Sequence, residues 1–231
     1  MPVGDLPGWK QVFADDFTVA VPLGSFPGAS YSNRWFPYNP GCCDTSGYGT
    51  YDASKVVSVS GGVLDAYLHT EGGAHYVNAM VARTPATGWG QLYGRYSIRM
   101  KADPIPGYKV VPLLWPDSDV WDQGEIDFPE VNVLSVGEKA KANVYLAGRW
   151  QNFQSTVDLV GGWHVYTTEW SPGLLTFYID GAKVWSTSKD VPTVPMHYVV
   201  QFESAIGVGA PSNSAAGHVQ VDWTTMYSRT P

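Results

Sequence analysis

The sequence predicts an all-β fold, a sandwich or barrel of short strands, from three observations. Runs rich in β-branched and aromatic residues recur along the 231 residues. Clusters of Gly, Pro, Ser and Asn separate these runs, as turns separate strands. No stretch shows a convincing helical periodicity. Many short strands at even spacing are typical of sandwiches and barrels.

The predicted strands form one series, without an internal repeat or a linker. Asp180-Gly181 predicts a tight hairpin turn, with 176–179 and 182–185 as its arms. Because no change in composition marks a boundary, we expect a single domain over residues 1–231. The predicted β runs are 56–70, 76–84, 92–102, 164–170, 174–187, 197–207 and 218–228.

Composition and charge exclude two classes of partner. The chain carries 14 Lys and Arg against 21 Asp and Glu, a net charge of −7. Nucleic-acid binding needs a basic surface that releases counterions, and the sequence has no Lys/Arg cluster. No apolar run approaches the ~20 residues that span a bilayer. The ten Trp and fourteen Tyr can pack in a core and can also form flat surfaces that stack on sugars or bases.

The two cysteines, Cys42 and Cys43, are neighbours in the sequence. Neighbouring Cα atoms lie ~3.8 Å apart, which is shorter than the usual disulfide span. Free thiols are therefore the preferred interpretation, with a strained bridge as the alternative. Two cysteines are too few for a zinc site, and the five His show no metal-binding spacing.

The segment GEIDFPEV, residues 124–131, carries three carboxylates among apolar residues. In a strand, Glu125 and Asp127 lie on one face, and Glu130, an odd step away, lies on the other. A β-bulge would return Glu130 to the face of Glu125. Pro129 favours such a bulge, because Pro within strands is confined to edges and bulges. We therefore predict a bulge between Asp127 and Glu130.

Three carboxylates on one face of a strand predict acid–base chemistry. Like charges so close together cannot all ionise freely, so at least one pKa must rise. A general acid beside a nucleophile has this requirement, and carboxyls ~5–5.5 Å apart are typical of a retaining glycosidase. The alternatives are solvated acids on an exposed edge, or a calcium site. Burying carboxylates without a function is costly, however, and calcium loops are irregular in structure.

The run GEIDFPE resembles the active-site strand of glycoside hydrolase family 16, whose bulged, laminarinase-like branch carries the pattern E-x-D-x-x-E. Further segments resemble the family in the same order, so the resemblance covers nearly the whole chain. They are FADDF (13–17), YGRYSIRMKA (93–102), PLLWP (112–116), WHVYTTEWSPGLLTFYIDGAKV (163–184) and VQVDW (219–223). The resemblance implies a β-jelly-roll sandwich of two antiparallel sheets, concanavalin A-like, with a sugar-binding cleft.

The resemblance also implies a reaction, the retaining hydrolysis of a β-linked polysaccharide within its chain. Glu125 would be the nucleophile, Glu130 the general acid/base, and Asp127 the residue that keeps their protonation states distinct. The first expectation for the substrate is β-1,3- or β-1,3/1,4-glucan, and another β-glycan such as a galactan is the alternative. No cofactor is required.

The resemblance supplies candidates for binding sugar and metal. Trp115 and Trp121 precede the acids, where the family places residues that stack on sugars, and Trp150 lies in a nearby loop. Glu203 lies on a strand that lines the cleft in the family, where it would bind a sugar hydroxyl or pair with a cation. The family often binds one structural calcium on the opposite face, and Asp222 is the candidate ligand.

Three positions depart from the family pattern. Met80 stands where many members carry Arg, and Asn143 and Tyr145 stand on a strand where many carry His. All three fall near the expected sugar subsites. They leave the three acids intact but weaken the prediction of β-1,3-glucan specificity.

Other functions would use the same fold. A lectin-like carbohydrate-binding domain explains the aromatic residues but not a spaced trio of carboxylates. A polysaccharide lyase needs a positive clamp for a uronate, and no such cluster accompanies the acids. A retaining site could also transfer its glycosyl group to a sugar instead of water.

Location and assembly follow from the expected substrate. Because such polysaccharides lie outside cells, we expect a secreted protein that acts as a monomer. No signal peptide is visible after Met1, so a leader would lie outside this sequence.

Overall fold

The computed structural model describes residues 1–84 and 88–230, apart from the side chain of Cys42. The described chain is almost entirely β-structure, and its helices are single turns: α1 (Gly28–Tyr31), α2 (Ala53–Val56) and the 3-10 turn η1 (Trp121–Gln123). None of these helices has the length or the apolar composition that crossing a membrane requires. The strands are β1 (Trp9–Asp15), β2 (Trp35–Pro37), β3 (Gly41–Cys42), β4 (Gly49–Tyr51), β5 (Val57–Ser60), β6 (Val63–Glu71), β7 (Ala74–Ala82), β8 (Gly94–Ala102), β9 (Tyr108–Pro116), β10 (Glu125–Glu130), β11 (Lys139–Leu146), β12 (Arg149–Asp158), β13 (His164–Ser171), β14 (Leu174–Ile179), β15 (Ala182–Thr187), β16 (Met196–Ser204) and β17 (Gly217–Arg229).

Fifteen of the described strands form two sheets packed face to face, and β3 and β4 form a short hairpin in which β4 runs parallel to the start of β7. One, the cleft sheet, has the order β2-β7-β16-β9-β10-β11-β12. The other, the back sheet, has the order β5-β6-β17-β8-β13-β14-β15, with β1 beside the second half of β17. Every pairing within these two sheets is antiparallel. The predicted jelly-roll sandwich of two antiparallel sheets is thus confirmed.

The hydrophobic core lies between the two sheets and follows from the alternation of side chains along each strand. On β10, Ile126 and Phe128 point inward and are almost fully buried. The ring of Phe128 packs edge-on against Tyr166 of β13 and Phe177 of β14, with centroid distances of 5.6 and 5.2 Å. Burying a side chain of this size contributes about 1.5–3 kcal/mol. The same alternation turns Glu125 and Asp127 to the outer face of the cleft sheet.

The predicted β runs all correspond to strands. The run 56–70 divides at Gly61-Gly62 into β5 and β6. The predicted hairpin at Asp180-Gly181 joins β14 to β15, and both residues have the positive φ, 51° and 80°, that a type I′ turn requires. Four strands, β2, β3, β4 and β12, have no counterpart in the predictions from the sequence. The first three have only two or three residues, too few to establish a period, and β12 is largely exposed and lacks an apolar face.

The loop between β3 and β4 is fixed to the end of β16 by a buried carboxylate. Asp44 accepts hydrogen bonds from the backbone amides of Gly47 and Gly49, both at 3.0 Å, and of Ser204 at 2.6 Å. Cys43 in this loop is disulfide-bonded. The expectation of free thiols is therefore wrong, because a short Cα separation disfavours a bridge without excluding one.

Candidate active site

The three acids of β10 lie on the cleft face because the strand contains the predicted bulge. Glu125 pairs with Tyr145 of β11, and Glu130 pairs with Lys141, with a register shift between Asp127 and Glu130. The two Glu are thus five positions apart on β10, opposite two residues that are four positions apart on β11. An even spacing on the regular strand keeps both Glu on the same face.

The bulge aligns three rows of side chains across β10, β11 and β12. Paired residues in an antiparallel sheet project to the same side, so each row lies on the cleft face. In the first row the two residues that follow the acid are aromatic, whereas the other two rows consist of polar residues. The rows are Glu125–Tyr145–Trp150, Asp127–Asn143–Asn152 and Glu130–Lys141–Gln154.

Glycine is required just before the first acid. Gly124 has φ of +132°, in the region that side-chain-bearing residues rarely adopt. A Cβ at this position would lie 2.6 Å from Cγ of Pro192. The glycine therefore lets the chain pass under Pro192 and enter β10 with Glu125 already on the cleft face.

Each of the two outer acids accepts a hydrogen bond from a neutral N–H donor. The indole Nε1 of Trp121 donates to Oε2 of Glu125 at 2.6 Å. The amide Nδ2 of Asn143 donates to Oε2 of Glu130. Asp127, between them, is buried, and its Oδ1 has no hydrogen-bond partner among the described residues. The indole N–H of Trp121 favours the ionised form of Glu125, as a hydrogen bond to the charged form of an acid does.

The electrostatics separate the protonation states of the acids. Burial, followed by the charges of Glu125 and Glu130, holds the pKa of Asp127 well above its ordinary value of 3.8. The raised pKa favours the protonated form of Asp127, whose hydroxyl can donate a hydrogen bond to Glu125. Burial also raises the pKa of Glu125, but the hydrogen bonds from Trp121 and Asp127 and the charge of Lys109 oppose this rise.

The acids open into a cleft of about 1130 Å³ that crosses the cleft sheet. Its lining runs from β2 and the β3–β4 loop, past β7, β16, β9 and β10, to Trp150 on β12. Five large aromatic side chains on this lining are also exposed at the surface. Flat rings with accessible faces suit the apolar faces of sugar rings. These five are Phe36, Tyr38, Trp89, Trp121 and Trp150.

The three predicted Trp all line the cleft, in two different settings. Trp115 is half-buried and packs partly against the core. Trp121 stacks on Tyr145 with centroids 4.2 Å apart and planes at 17°, and Trp150 meets Trp121 edge-on at 6.1 Å. The hydroxyl of Tyr145 donates to Asp122 at 2.5 Å, which ties η1 to β11. Trp121 is therefore held in place before any ligand binds.

Glu203 lies beneath the cleft and not on its surface. It has no exposed area, and its Oε2 lies 3.2 Å from Nζ of Lys109. Its Oε1 accepts hydrogen bonds from Thr45 and from the hydroxyl of Tyr51. Glu203 therefore has no exposed surface to offer a ligand in this structure, and sugar binding by Glu203 stays a prediction. The alternative, pairing with a cation, is what the structure contains.

Asp222 lies on β17 of the back sheet, away from the cleft. Its Oδ2 is 2.5 Å from Nη1 of Arg99, so the carboxylate is already paired with a cation. The described residues contain no group of three or more His, Cys, Asp or Glu side chains that could hold a metal. Calcium binding at Asp222, which would also use backbone carbonyls, stays a prediction.

The structure also locates the departures from the family pattern. Met80 points into the core, and its neighbour Val81 faces the cleft, so Met80 does not line the cleft. Asn143 and Tyr145 do lie on the cleft face, where Asn143 donates to Glu130 and Tyr145 stacks on Trp121. One departure thus contacts an acid, and another supports the donor to Glu125.

Some cleft residues were missed by the sequence reasoning. Phe36, Tyr38 and Trp89 form the wall at the end farthest from β12, and they come from short or irregular segments that carry no pattern. Lys109 is buried in the cleft floor. The sequence does indicate that Lys109 is unusual, because it is a single Lys within the apolar run YKVVPLLW.

Comparison with known proteins identifies relatives of the sequence. The family model for glycosyl hydrolases family 16 matches residues 78–225. A β-glucanase of Acetivibrio thermocellus is 29% identical over 122 residues, which are 50% of this chain and 35% of that protein. A β-glucanase of Bacillus subtilis is 26% identical over 125 residues, covering 50% and 49%. Across the four curated β-glucanases that it matches, the chain spans between 31% and 60% of the relative's length.

Solved structures share the fold at low sequence identity. The endo-β-1,3(4)-glucanase SCLam, described as non-specific, has a TM-score of 0.79 and 17% identity, with 100% of this chain and 95% of that chain covered. The laminarinase from Rhodothermus marinus has a TM-score of 0.78 and 19% identity, with 96% and 98% covered. The likeness therefore extends over the whole sandwich.

The buried acid Asp127 makes folding stability depend on pH. Its raised pKa means that, above pH 3.8, the folded chain keeps a proton that the unfolded chain has lost. The free energy of unfolding therefore falls as pH rises through this window, up to the folded pKa. Asp127→Asn cannot ionise, so we expect its melting temperature to exceed that of the wild type by more at pH 7 than at pH 4. The expected difference is on the order of 2–4 °C or more.

Calorimetry at the two pH values checks this expectation. Asp16→Asn, which removes an exposed carboxylate, is the control for the change in charge alone. An advantage of Asp127→Asn that stays the same or shrinks between pH 4 and pH 7 would contradict the assigned state of Asp127.

Proposed function

The chain belongs to the glycosyl hydrolases family 16, and from this premise we propose that it is a retaining β-glucan hydrolase that cuts within its substrate. Glu125 is the nucleophile, Glu130 the general acid/base, and Asp127 the residue that separates their protonation states. The proposal rests most on one observation: a bulge in β10 brings all three carboxylates to the floor of one aromatic cleft.

In the first step, Glu130 gives its proton to the glycosidic oxygen as Glu125 attacks the anomeric carbon. The bond from that carbon to the leaving oxygen breaks, and a covalent glycosyl-enzyme forms. Glu125 must be ionised to attack. The hydrogen bonds from Trp121 and Asp127 and the charge of Lys109 favour its ionised form.

In the second step, Glu130 acts as a base and takes a proton from water. The oxygen of that water attacks the anomeric carbon, and Glu125 leaves as a carboxylate. The amide of Asn143 donates to Glu130 and orients its carboxyl group for this step. Two carboxylates thus supply the nucleophile, the acid and the base, and the reaction needs no cofactor.

The proposed substrate is a β-1,3- or β-1,3/1,4-glucan. The names of the relatives support it, since they are β-glucanases, an endo-β-1,3(4)-glucanase and a laminarinase. The cleft supports an uncharged substrate, because its exposed lining is mostly aromatic and its buried Lys109 is already paired with Glu203. The extent of the lining, from β2 to β12, supports binding of an extended chain and hence internal cleavage.

We further propose that residues 1–231 form one catalytic domain that works as a monomer outside the cell. A glucan is too large to be taken up whole, so a hydrolase must meet it there. In the proposed monomer, the cleft is open to solvent without a partner subunit.

Loss of either catalytic Glu should abolish hydrolysis while the fold is retained. Glu125→Gln and Glu130→Gln remove a charge or a proton but keep the shape of the side chain. We expect each to lower kcat by about 10²–10⁴-fold or more on laminarin or lichenan. Release of reducing sugar from a panel of β-glycans, including xyloglucan and a β-galactan, measures the effect and identifies the substrate.

Circular dichroism of both variants provides the control for folding. If the wild type binds a glycan without cleaving it, and both variants bind that glycan equally well, the hydrolase proposal is contradicted and a carbohydrate-binding domain is favoured.

Trp121 should act in two ways that a substitution can separate: its ring stacks on Tyr145, and its indole N–H donates to Glu125. Trp121→Phe keeps a ring over Tyr145 but removes the N–H that donates to Glu125. Because that donor lowers the pKa of Glu125, its loss should raise this pKa. The acid limb of kcat/KM against pH should then move to higher pH, with a loss of about three- to tenfold at acidic pH.

Trp150→Phe is the matched control, since Trp150 lines the cleft without bonding to Glu125. An acid limb that shifts equally in both variants, or in neither, would contradict the role given to the indole N–H.

A further inference from the structure

A second cavity, of about 460 Å³, lies beside the cleft on the β11–β12 side of Glu130. It shares Glu130 and Ile206 with the main cleft, whereas Glu125 and Asp127 line the main cleft alone. Glu130 therefore stands between the two spaces. The rest of the lining is Asn132, Lys141, Asn143, Asn152, Phe153 and Gln154.

Three polar side chains of this cavity are available to a ligand. Within the part of the chain that the structure describes, Lys141, Asn152 and Gln154 form no side-chain hydrogen bond or ion pair. Lys141 pairs in register with Glu130 on one side and Gln154 on the other. Even so, no ion pair joins Lys141 to Glu130, and Oε2 of Glu130 is taken by Asn143.

The remaining lining residues close the cavity without filling it. Asn132 exchanges two hydrogen bonds of 2.9 Å with the backbone of Ile206, which holds that side chain at the junction with the cleft. Phe153 stacks on Trp185 with centroids 6.0 Å apart and planes at 14°. Its ring is thus committed to another contact and offers no free platform.

The chemistry of the lining indicates the class of ligand. Two amides and an ammonium, on strands ~4.8 Å apart, offer several donors and acceptors over a short distance. Such a set suits a ligand rich in hydroxyl groups. The main cleft offers exposed rings instead, so the two spaces present different groups to a ligand, flat rings in one and hydrogen-bonding side chains in the other.

We infer that the second cavity binds the saccharide unit that departs, through Lys141, Asn152 and Gln154. This inference rests on the proposed function, in which Glu130 protonates the leaving oxygen. The departing sugar must then lie in contact with Glu130. The second cavity shares Glu130 but not the nucleophile, so it is the space on the leaving-group side.

Two substrates separate this site from the rest of the cleft. One is a glucan oligosaccharide, which places a sugar in the second cavity. The other is an aryl β-glycoside of the same donor saccharide, which places no sugar there. For Lys141→Ala/Gln154→Ala, we expect the ratio of kcat/KM on the oligosaccharide to that on the aryl glycoside to fall about tenfold. Lys141→Met keeps the length of the side chain and serves as the test if the double variant does not fold. For this single variant we expect a smaller fall in the same ratio.

Lys183→Ala is the control, because Lys183 is an exposed cation on β15 of the back sheet. A fall in the ratio of threefold or more, absent from this control, would support the site. A smaller change in the ratio would overturn the inference, however much the individual rates change. Failure of the unaltered chain to cleave either substrate would overturn the proposed function, and the inference with it.

Discussion

The single extra residue on β10 between Asp127 and Glu130 places the third carboxylate of the cleft on the same face as the other two. A regular strand would send Glu130 into the core, among side chains such as Phe128 and Phe177, where an unpaired carboxylate costs several kcal/mol. The register shift against β11 instead places Glu125, Asp127 and Glu130 on one outer face. Gly124, under Pro192, and Pro129, within the bulge, are the local residues compatible with this path.

The three acids lie close together in surroundings that differ from one acid to the next. Burial and the neighbouring charges favour the protonated form of Asp127, the most buried of the three. Lys109 supplies a buried positive charge, and Glu203 holds it in the cleft floor. Trp121 and Asn143 add neutral donors to the two outer acids. Asp44 fixes the β3–β4 loop to β16, and Thr45 of that loop donates a hydrogen bond to Glu203. Residues far from β10 in sequence therefore help to hold the groups around the acids.

Many of the strands and the position of the three acids could be predicted from the sequence, because they depend on local patterns of residues. Alternating runs predicted the strands, Asp180-Gly181 predicted a hairpin, and the odd spacing of acids with Pro129 predicted the bulge. Contacts between distant segments carry no such pattern. Glu203 therefore looked like a sugar ligand, although it is buried on Lys109, which is 94 positions away in sequence (203 − 109). The unpartnered row of Lys141 and Gln154 also emerges only from the pairing of β11 with β12.

The most direct test of the account is covalent trapping of the nucleophile. A 2-deoxy-2-fluoro β-glycoside with an activated leaving group slows breakdown of the glycosyl-enzyme, so the label accumulates on the attacking residue. Peptide mapping by mass spectrometry then locates it. We predict one label per chain, on Glu125 within the segment GEIDFPEV. A label on Glu130 or Asp127, or no label on a chain that hydrolyses its substrate, would contradict the assignment.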